Sequence, residues 1–149
     1  MKLLLNDNGR VRVIADSAVG RNRQPWFIPE EGENWRWRKA LAFRVSKLGK
    51  NESAKYVGRY IDAVTLLWVA EADDFEALDY MDGAVVCGNW LDLDSEVPAD
   101  DLSTFTRNTT IKNGDILAFM LPDSATPIEL NQHISLHYNN QEVISFNVK

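Results

Sequence analysis

A chain of 149 residues with 45% hydrophobic residues, five Trp and six Phe can bury one sizeable core, which predicts a single domain over residues 1–149. A net charge of -6 and a pI near 4.9 exclude the basic stripe that a nucleic-acid backbone demands. The single cysteine, Cys87, excludes an internal disulfide framework and zinc-finger spacing, so the expected compartment is the reducing cytoplasm.

The chain begins MKLLLNDNGR, whose three leucines after Lys2 are too few for a signal-peptide core, and no stretch approaches transmembrane length. Around Asn6-Asp7-Asn8-Gly9 the apolar runs LLL and VRVIA predict a hairpin with an Asn/Asp/Gly turn. From Trp35 to Val45 the residues alternate. Trp35, Trp37, Leu41, Phe43 and Val45 fall on one face, and Arg36, Arg38, Ala40, Ala42 and Arg44 on the other, as in a half-buried strand. ESAKYVGRY, 52–60, predicts a short helix capped by Asn51, with Glu52 favourably near the positive end of its dipole. AVTLLWVA, 63–70, suits a strand buried on both faces, although a helix shares the pattern. The acidic EADDFEALDYMDG, 71–83, is expected to leave the sheet as a loop or helical turn. AVVCGNWLDL, 84–93, returns to strand character, and SEVPADD reads as a polar loop. IKNGDILAFM, 111–120, turns at Asn113-Gly114 into a strand; HISLHY, Asn139-Asn140 and QEVISFNV then predict a closing hairpin. The Asn pair tolerates the positive φ that such a turn demands.

Several of these segments together resemble the fumarylacetoacetate hydrolase family. PWFIP ahead of the Trp35 strand and KLGKNESAKYVGRYIDAV after it are similar to the segments that flank that family's metal-binding strand. DGAVV at 82–86 is similar to its F-D-G-x-A-P step. The stretch TIKNGDILAFMLPDSATPIELNQHISLHYNNQEVISFNVK runs without a gap against its C-terminal pattern of T-L-K-x-G-D, a strand, T-G-T-P-x-G-V-G, and a hairpin ending F-N-I-K. The similarity extends from about Ala15 onward, with an internal deletion near 93–102 where the family has additional strands. It implies a β-rich α+β fold, an FAH-like mixed β-sandwich or roll with one or two short helices. It also implies a homodimer, or a mixed oligomer with an active paralogue.

The family's chemistry does not carry over residue by residue. Its Glu-x-Glu metal ligands fall at Arg38 and Ala40, and its third ligand, an aspartate, falls at Val69. A family arginine falls at Asp73 and a family lysine at Asp79. The T-G-T-P substrate loop falls at Phe119, Met120, Leu121 and Pro122, so only the proline survives. The N-terminal region is too short for the family's histidine-bearing helix. Mg²⁺ or Mn²⁺, the cation the family would use, wants oxygen ligands, and a guanidinium at a ligand position repels it. No metal or cofactor is therefore expected.

The implied ligand site is remodelled around Arg36, Arg38, Asp73 and Asp79. Arg36 and Arg38 share a face, and an Arg pair can hold a small carboxylate or phosphate by bidentate bonds. The plainer alternative is that both are solvated or pair with Glu30, Glu31 or the acidic 71–76 segment. The expected function is a non-catalytic pseudoenzyme that binds a small anion or partners another chain. The alternative is a residual hydrolase or decarboxylase for a β-dicarbonyl acid of the fumarylacetoacetate or acylpyruvate kind, with metal ligands from the 71–79 segment.

Other residues read as structural. His133 and His137 share a strand face with Ser135 between them but lack a nearby carboxylate or Cys for a metal. The run Glu71, Asp73, Asp74, Glu76 and Asp79 lacks the spacing of a calcium loop. Cys87 reads as a small buried hydrophobe, and the five Trp as core rather than a ligand groove.

Overall fold

A computed structural model of the chain describes residues 1–73, 75, 79–93 and 98–149, with residues 99 and 100 described by their backbone alone. The predicted first hairpin is present as β1 (Leu3–Asp7) and β2 (Arg10–Ile14), in register from Leu3 opposite Ile14 to Asp7 opposite Arg10. Asn8 and Gly9 take φ of 52° and 89°, and the Asn6 carboxamide oxygen accepts the Gly9 N–H at 2.8 Å. A 3-10 turn, Asp16–Ala18, leads into the unforeseen β3 (Val19–Arg21).

The Trp-rich strand is β4 (Glu33–Val45). After α1 (Ala54–Val57) and a 3-10 turn, Gly58–Tyr60, it pairs antiparallel with β5 (Ile61–Asp73). Asn51 does not cap α1: Ser53 stands at the N-cap, Asn51 itself has φ 53°, and no side chain bonds the first turn. β5 also runs further than expected, taking Glu71 and Asp73 into the sheet, because both have partners across on β4. The strand expected over 84–93 is split into β6 (Val85–Cys87) and β7 (Leu91–Asp92). Gly88 makes the break. A Cβ there would lie 2.6 Å from Thr65 Oγ1 and 3.0 Å from the Leu66 and Val143 carbonyl oxygens.

The polar loop expected at 95–101 is in part a helix, α2 (Ala99–Thr106); residues 94–97 lie outside those described. Leu102 and Phe105, three apart and buried, give it an inward face that outweighs its polar start. β8 (Ile116–Met120), β9 (Thr126–Pro127), β10 (His133–Tyr138) and β11 (Gln141–Asn147) complete the chain. The predicted turns before β8 and between β10 and β11 are both formed, with Gly114 at φ 91° and Asn139 and Asn140 at 49° and 63°.

The strands form a mixed sheet in the order β2-β1-β8-β4-β5-β6-β3, with β7 beside β5 and β9 beside β4, while β10 and β11 form a separate two-stranded sheet. The β1–β8 and β3–β6 pairs are parallel. The architecture is β-rich α+β, with a curled sheet and two short helices. On the Trp face of β4 and β5, the β10–β11 hairpin covers one end through Ile134, Ile144 and Phe146, and the helices cover the other through Val57, Leu102 and Phe105. The opposite face is not solvated as a half-buried strand would be. Ala40 and Ala42 are fully buried inside the curl against Leu3, Leu5, Leu67, Val69 and Ala118, and such small side chains let the sheet close over itself. This face opens at its two ends, at Arg36 and Arg38 on the β4 N-terminal side and at Arg44 on the other. No helix among the described residues is long and apolar enough to cross a membrane.

Candidate functional site

Backbone pairing brings together the three positions that the resemblance aligns with metal ligands. Arg38 on β4 stands opposite Val69 on β5, and Ala40, two residues on, stands opposite Leu67. Side chains at i and i+2 share a face, so all three converge at the mouth of the curl. β8 ends at Met120, opposite Ala40. Past that end the Arg38 guanidinium reaches across to Asp7 on β1.

Arg38 donates from Nη2 to Asp7 Oδ2 at 2.7 Å and from Nη1 to Asp7 Oδ1 at 3.3 Å. It also donates from Nε to Glu71 Oε1 at 3.0 Å, and its Nη2 bonds the same oxygen. Arg36 donates from Nη1 to Asp73 Oδ1 at 2.9 Å, with its Nε 3.8 Å from Glu71 Oε2. Asn34 donates to the other Asp73 oxygen at 2.8 Å. Asp79 accepts from Arg12 Nε at 3.0 Å and also from Nη2 of the same residue.

Three carboxylates and two guanidiniums thus alternate along the rim, in the order Asp7, Arg38, Glu71, Arg36, Asp73, with the Arg12–Asp79 pair separate. The Arg38 hydrogen bonds, opposed by burial, hold the Asp7 carboxyl below the usual carboxylate range. The Arg38 guanidinium is itself pushed up, first by Asp7 and further by Glu71, against burial. Asp73 is held low first by the Asn34 hydrogen bond and then by that of Arg36.

Of the four residues proposed from the sequence, Arg36, Arg38 and Asp73 therefore meet, while Asp79 stands apart with Arg12. The arrangement is the one offered as the plainer alternative, in which the arginines pair with the 71–76 segment. The partners are Glu71 and Asp73 rather than Glu30 or Glu31. Asp7 was missed because its approach depends on β1 lying parallel to β8, which no local pattern signals. Paired in this way, Arg36 and Arg38 are not the free bidentate receptor that the anion-binding expectation required.

Open space remains beside Arg38. A cleft of about 410 Å³ is lined by Asp7, Asn8, Arg38, Met120, Leu121, Pro122 and Asp123, so the positions aligned with the family's substrate loop do border the aligned ligand position. Phe119 turns away and packs on Phe43 and Phe105, with ring centroids 6.3 and 5.3 Å apart. Asp123 is paired with Lys39 at 3.3 Å. These residues do not fit Mg²⁺ or Mn²⁺: the positions that the resemblance aligns with ligands present one cation and two apolar side chains, and Asp7 and Glu71 beside them are already paired with Arg38. Among the described residues, no group of three or more His, Cys, Asp or Glu is placed to hold a metal.

The other candidates divide. Cys87 lies beside the inner core, and burial pushes its thiol up to about 12, with Arg44 opposing, so it is not a thiolate nucleophile. Trp26, Trp35 and Trp68 are buried in one aromatic cluster, as expected of core. Glu71, Asp73 and Asp79 are in ion pairs, while Asp74 and Glu76 lie outside the described residues. His133 is exposed on β10 and hydrogen-bonded to Asn147.

Solved structures share this fold over 99% of the chain. A protein from Yersinia pestis CO92 assigned to the fumarylacetoacetate hydrolase family superposes with a TM-score of 0.85 at 14% identity, over 92% of its own length. The 2-hydroxyhepta-2,4-diene-1,7-dioate isomerase of Mycobacterium marinum gives 0.88 at 14% identity over 73% of its length. The maleylpyruvate hydrolase of Sphingobium sp. SYK-6 gives 0.84 at 15% over 70%. No family model and no curated protein matches the sequence.

Proposed function

The chain has the fold of the fumarylacetoacetate hydrolase family, and we propose that it is a relative that has abandoned that family's metal-dependent chemistry. The observation that carries this is Arg38, which stands where the resemblance aligns a metal ligand and is tied there to Asp7 and Glu71. A divalent cation would have to displace the guanidinium from both carboxylates before either could ligate it, because Arg38 occupies the oxygens that a hard cation needs. The role left to the protein is binding: a partner subunit, as a homodimer or alongside an active paralogue, or a small carboxylate that enters the adjoining cleft and displaces Asp7 from Arg38. The exposed Val11 and Val13 on edge strand β2 support a partner. The lone Cys87 supports a cytoplasmic location.

The test is metal content and titration calorimetry on the purified protein. No stoichiometric Mg²⁺ or Mn²⁺ and no turnover of acylpyruvates are expected; a stoichiometric metal with hydrolysis would overturn the proposal.

A second reading rests on the cleft of about 410 Å³ and on fold neighbours that are themselves isomerases and hydrolases. In it the chain retains slow hydrolysis or decarboxylation of a β-dicarbonyl acid, with Glu71 and Asp73 freed from their arginines to take the metal. Arg36→Ala combined with Arg38→Ala should then raise Mn²⁺ affinity and turnover together.

A further inference from the structure

On the outer face of the closing hairpin, far along the chain from the Arg38 cleft, three side chains form a relay. His133 Nδ1 lies 2.7 Å from the Asn147 carboxamide oxygen. That oxygen can only accept, so Nδ1 carries a proton, and in the neutral form of the ring the Nε2 lone pair is left facing the other side. Ser145 Oγ lies 3.4 Å from that Nε2 and donates to it. Nucleophile, base and orienting group are thereby in sequence, and such bonds are often long before substrate arrives.

The strands explain the placement: His133 pairs with Asn147 and Ser135 with Ser145, so all four side chains share the outward face of β10–β11. The Ser145 backbone is held as well. Its N–H donates to Asn22 Oδ1 at 2.8 Å while Asn22 Nδ2 donates to the Val143 carbonyl at 2.9 Å, so one carboxamide extends the ladder along β11.

Beside the relay is a cavity of about 320 Å³ lined by Arg23, Pro25, His133, Glu142, Ser145, Phe146 and Asn147. Arg23 has φ 71°, a conformation that costs a non-glycine residue about 1 kcal/mol or more. Its N–H donates to Asn22 Oδ1 at 2.9 Å, and no carboxylate pairs with its guanidinium among the described residues. Glu142, the one acid in the lining, accepts from Ser135 Oγ at 2.6 Å.

We propose that Ser145, His133 and Asn147 form a metal-free acyl-transfer site for small carboxylic esters that carry a second anionic group, held by Arg23. Ser145 Oγ attacks the ester carbon while its proton passes to His133 Nε2. The carbon–oxygen bond to the leaving alcohol breaks, and that oxygen takes the proton from His133. Water then attacks the acyl-Ser145, again losing its proton through His133, and releases the acid and the free hydroxyl. Asn147 is a positioning residue that fixes the tautomer. Nothing in this depends on the Arg38 cleft, so failure here leaves the proposal for that cleft standing.

The native protein is treated with a fluorophosphonate, which forms a Ser Oγ–P bond with loss of fluoride, and the adduct is located by peptide mass spectrometry. Hydrolysis of 4-nitrophenyl hydrogen succinate and 4-nitrophenyl acetate is measured alongside. The label is expected on Ser145 with hydrolysis above the buffer rate, and Ser145→Ala and His133→Gln should each lower turnover about a hundredfold. Asn147→Ala should lower kcat with little change in KM, and Asn147→Asp should retain it. Arg23→Met should erase the preference for the succinate ester while sparing the acetate. No adduct at Ser145, or unchanged hydrolysis by Ser145→Ala with a native circular dichroism spectrum, would overturn the site. A preference surviving Arg23→Met would overturn the anionic substrate class.

Discussion

Arg38 is fixed from two sides, and its removal would leave Asp7 and Glu71 facing one another across the rim of the curl. Arg38→Met keeps most of the buried stem but removes the cation. Because the pair is only partly buried, the loss of stability at neutral pH is expected to be about 1–3 kcal/mol in urea denaturation. The pH dependence has a definite sign. Asp7 and Asp115 both titrate lower when folded than when unfolded. Arg38 is the main cause for Asp7; for Asp115 burial acts upward but is outweighed by Lys2 and by the Lys2 and Lys112 backbone N–H groups. Their contributions are therefore intact above the unfolded carboxyl value and disappear as pH falls below about 4. Arg38→Met should flatten that acid limb, while Asp115→Asn should flatten it independently. An acid limb unchanged in Arg38→Met would refute the assignment to Asp7.

At the scale of elements, the strands that carry one clear period were legible and those defined by their neighbours were not. β4 and β5 and both hairpins follow from alternation, apolar runs and Asn/Gly turns. β3 has three residues and β9 two, and each exists because β6 or the β4 end lies beside it. The α2 helix was hidden by its acidic start, although Leu102 and Phe105 carried the spacing. The same limit applied to the sites: Arg36 and Arg38 were legible as one strand's polar face, whereas Asp73 entered through the resemblance and its place on the partner strand was not foreseen. Asp7 needed the parallel β1–β8 crossover, and Ser145 and Asn147 needed the β10–β11 register. Gly88 shows how tightly such junctions are set. Gly88→Ala would drive a methyl against Thr65 and two carbonyl oxygens, and is expected to cost about 1–3 kcal/mol by thermal melting. A melting temperature equal to wild type would mean that β6 and the β11 strand can move apart.

For the whole molecule, the sheet order leaves β2 and β3 as outer strands, and β2 presents Val11 and Val13 at 47% and 63% exposure. If the chain forms the proposed homodimer through this edge, Val13→Lys should yield a monomer by light scattering without loss of secondary structure. A wild-type monomer at all concentrations would remove the homodimer. The β1–β8 pairing has another consequence, in time. Lys2 donates its backbone N–H to Asp115, 113 residues away, and β1 gains its second neighbour only when β8 exists. At about ten residues per second, the Leu3–Leu5 strand spends roughly ten seconds of synthesis paired on one side only. During that interval its apolar side chains and open edge are available to any other nascent strand, so yield in the cell should depend on translation speed and chaperone supply more than on the stability of the finished fold.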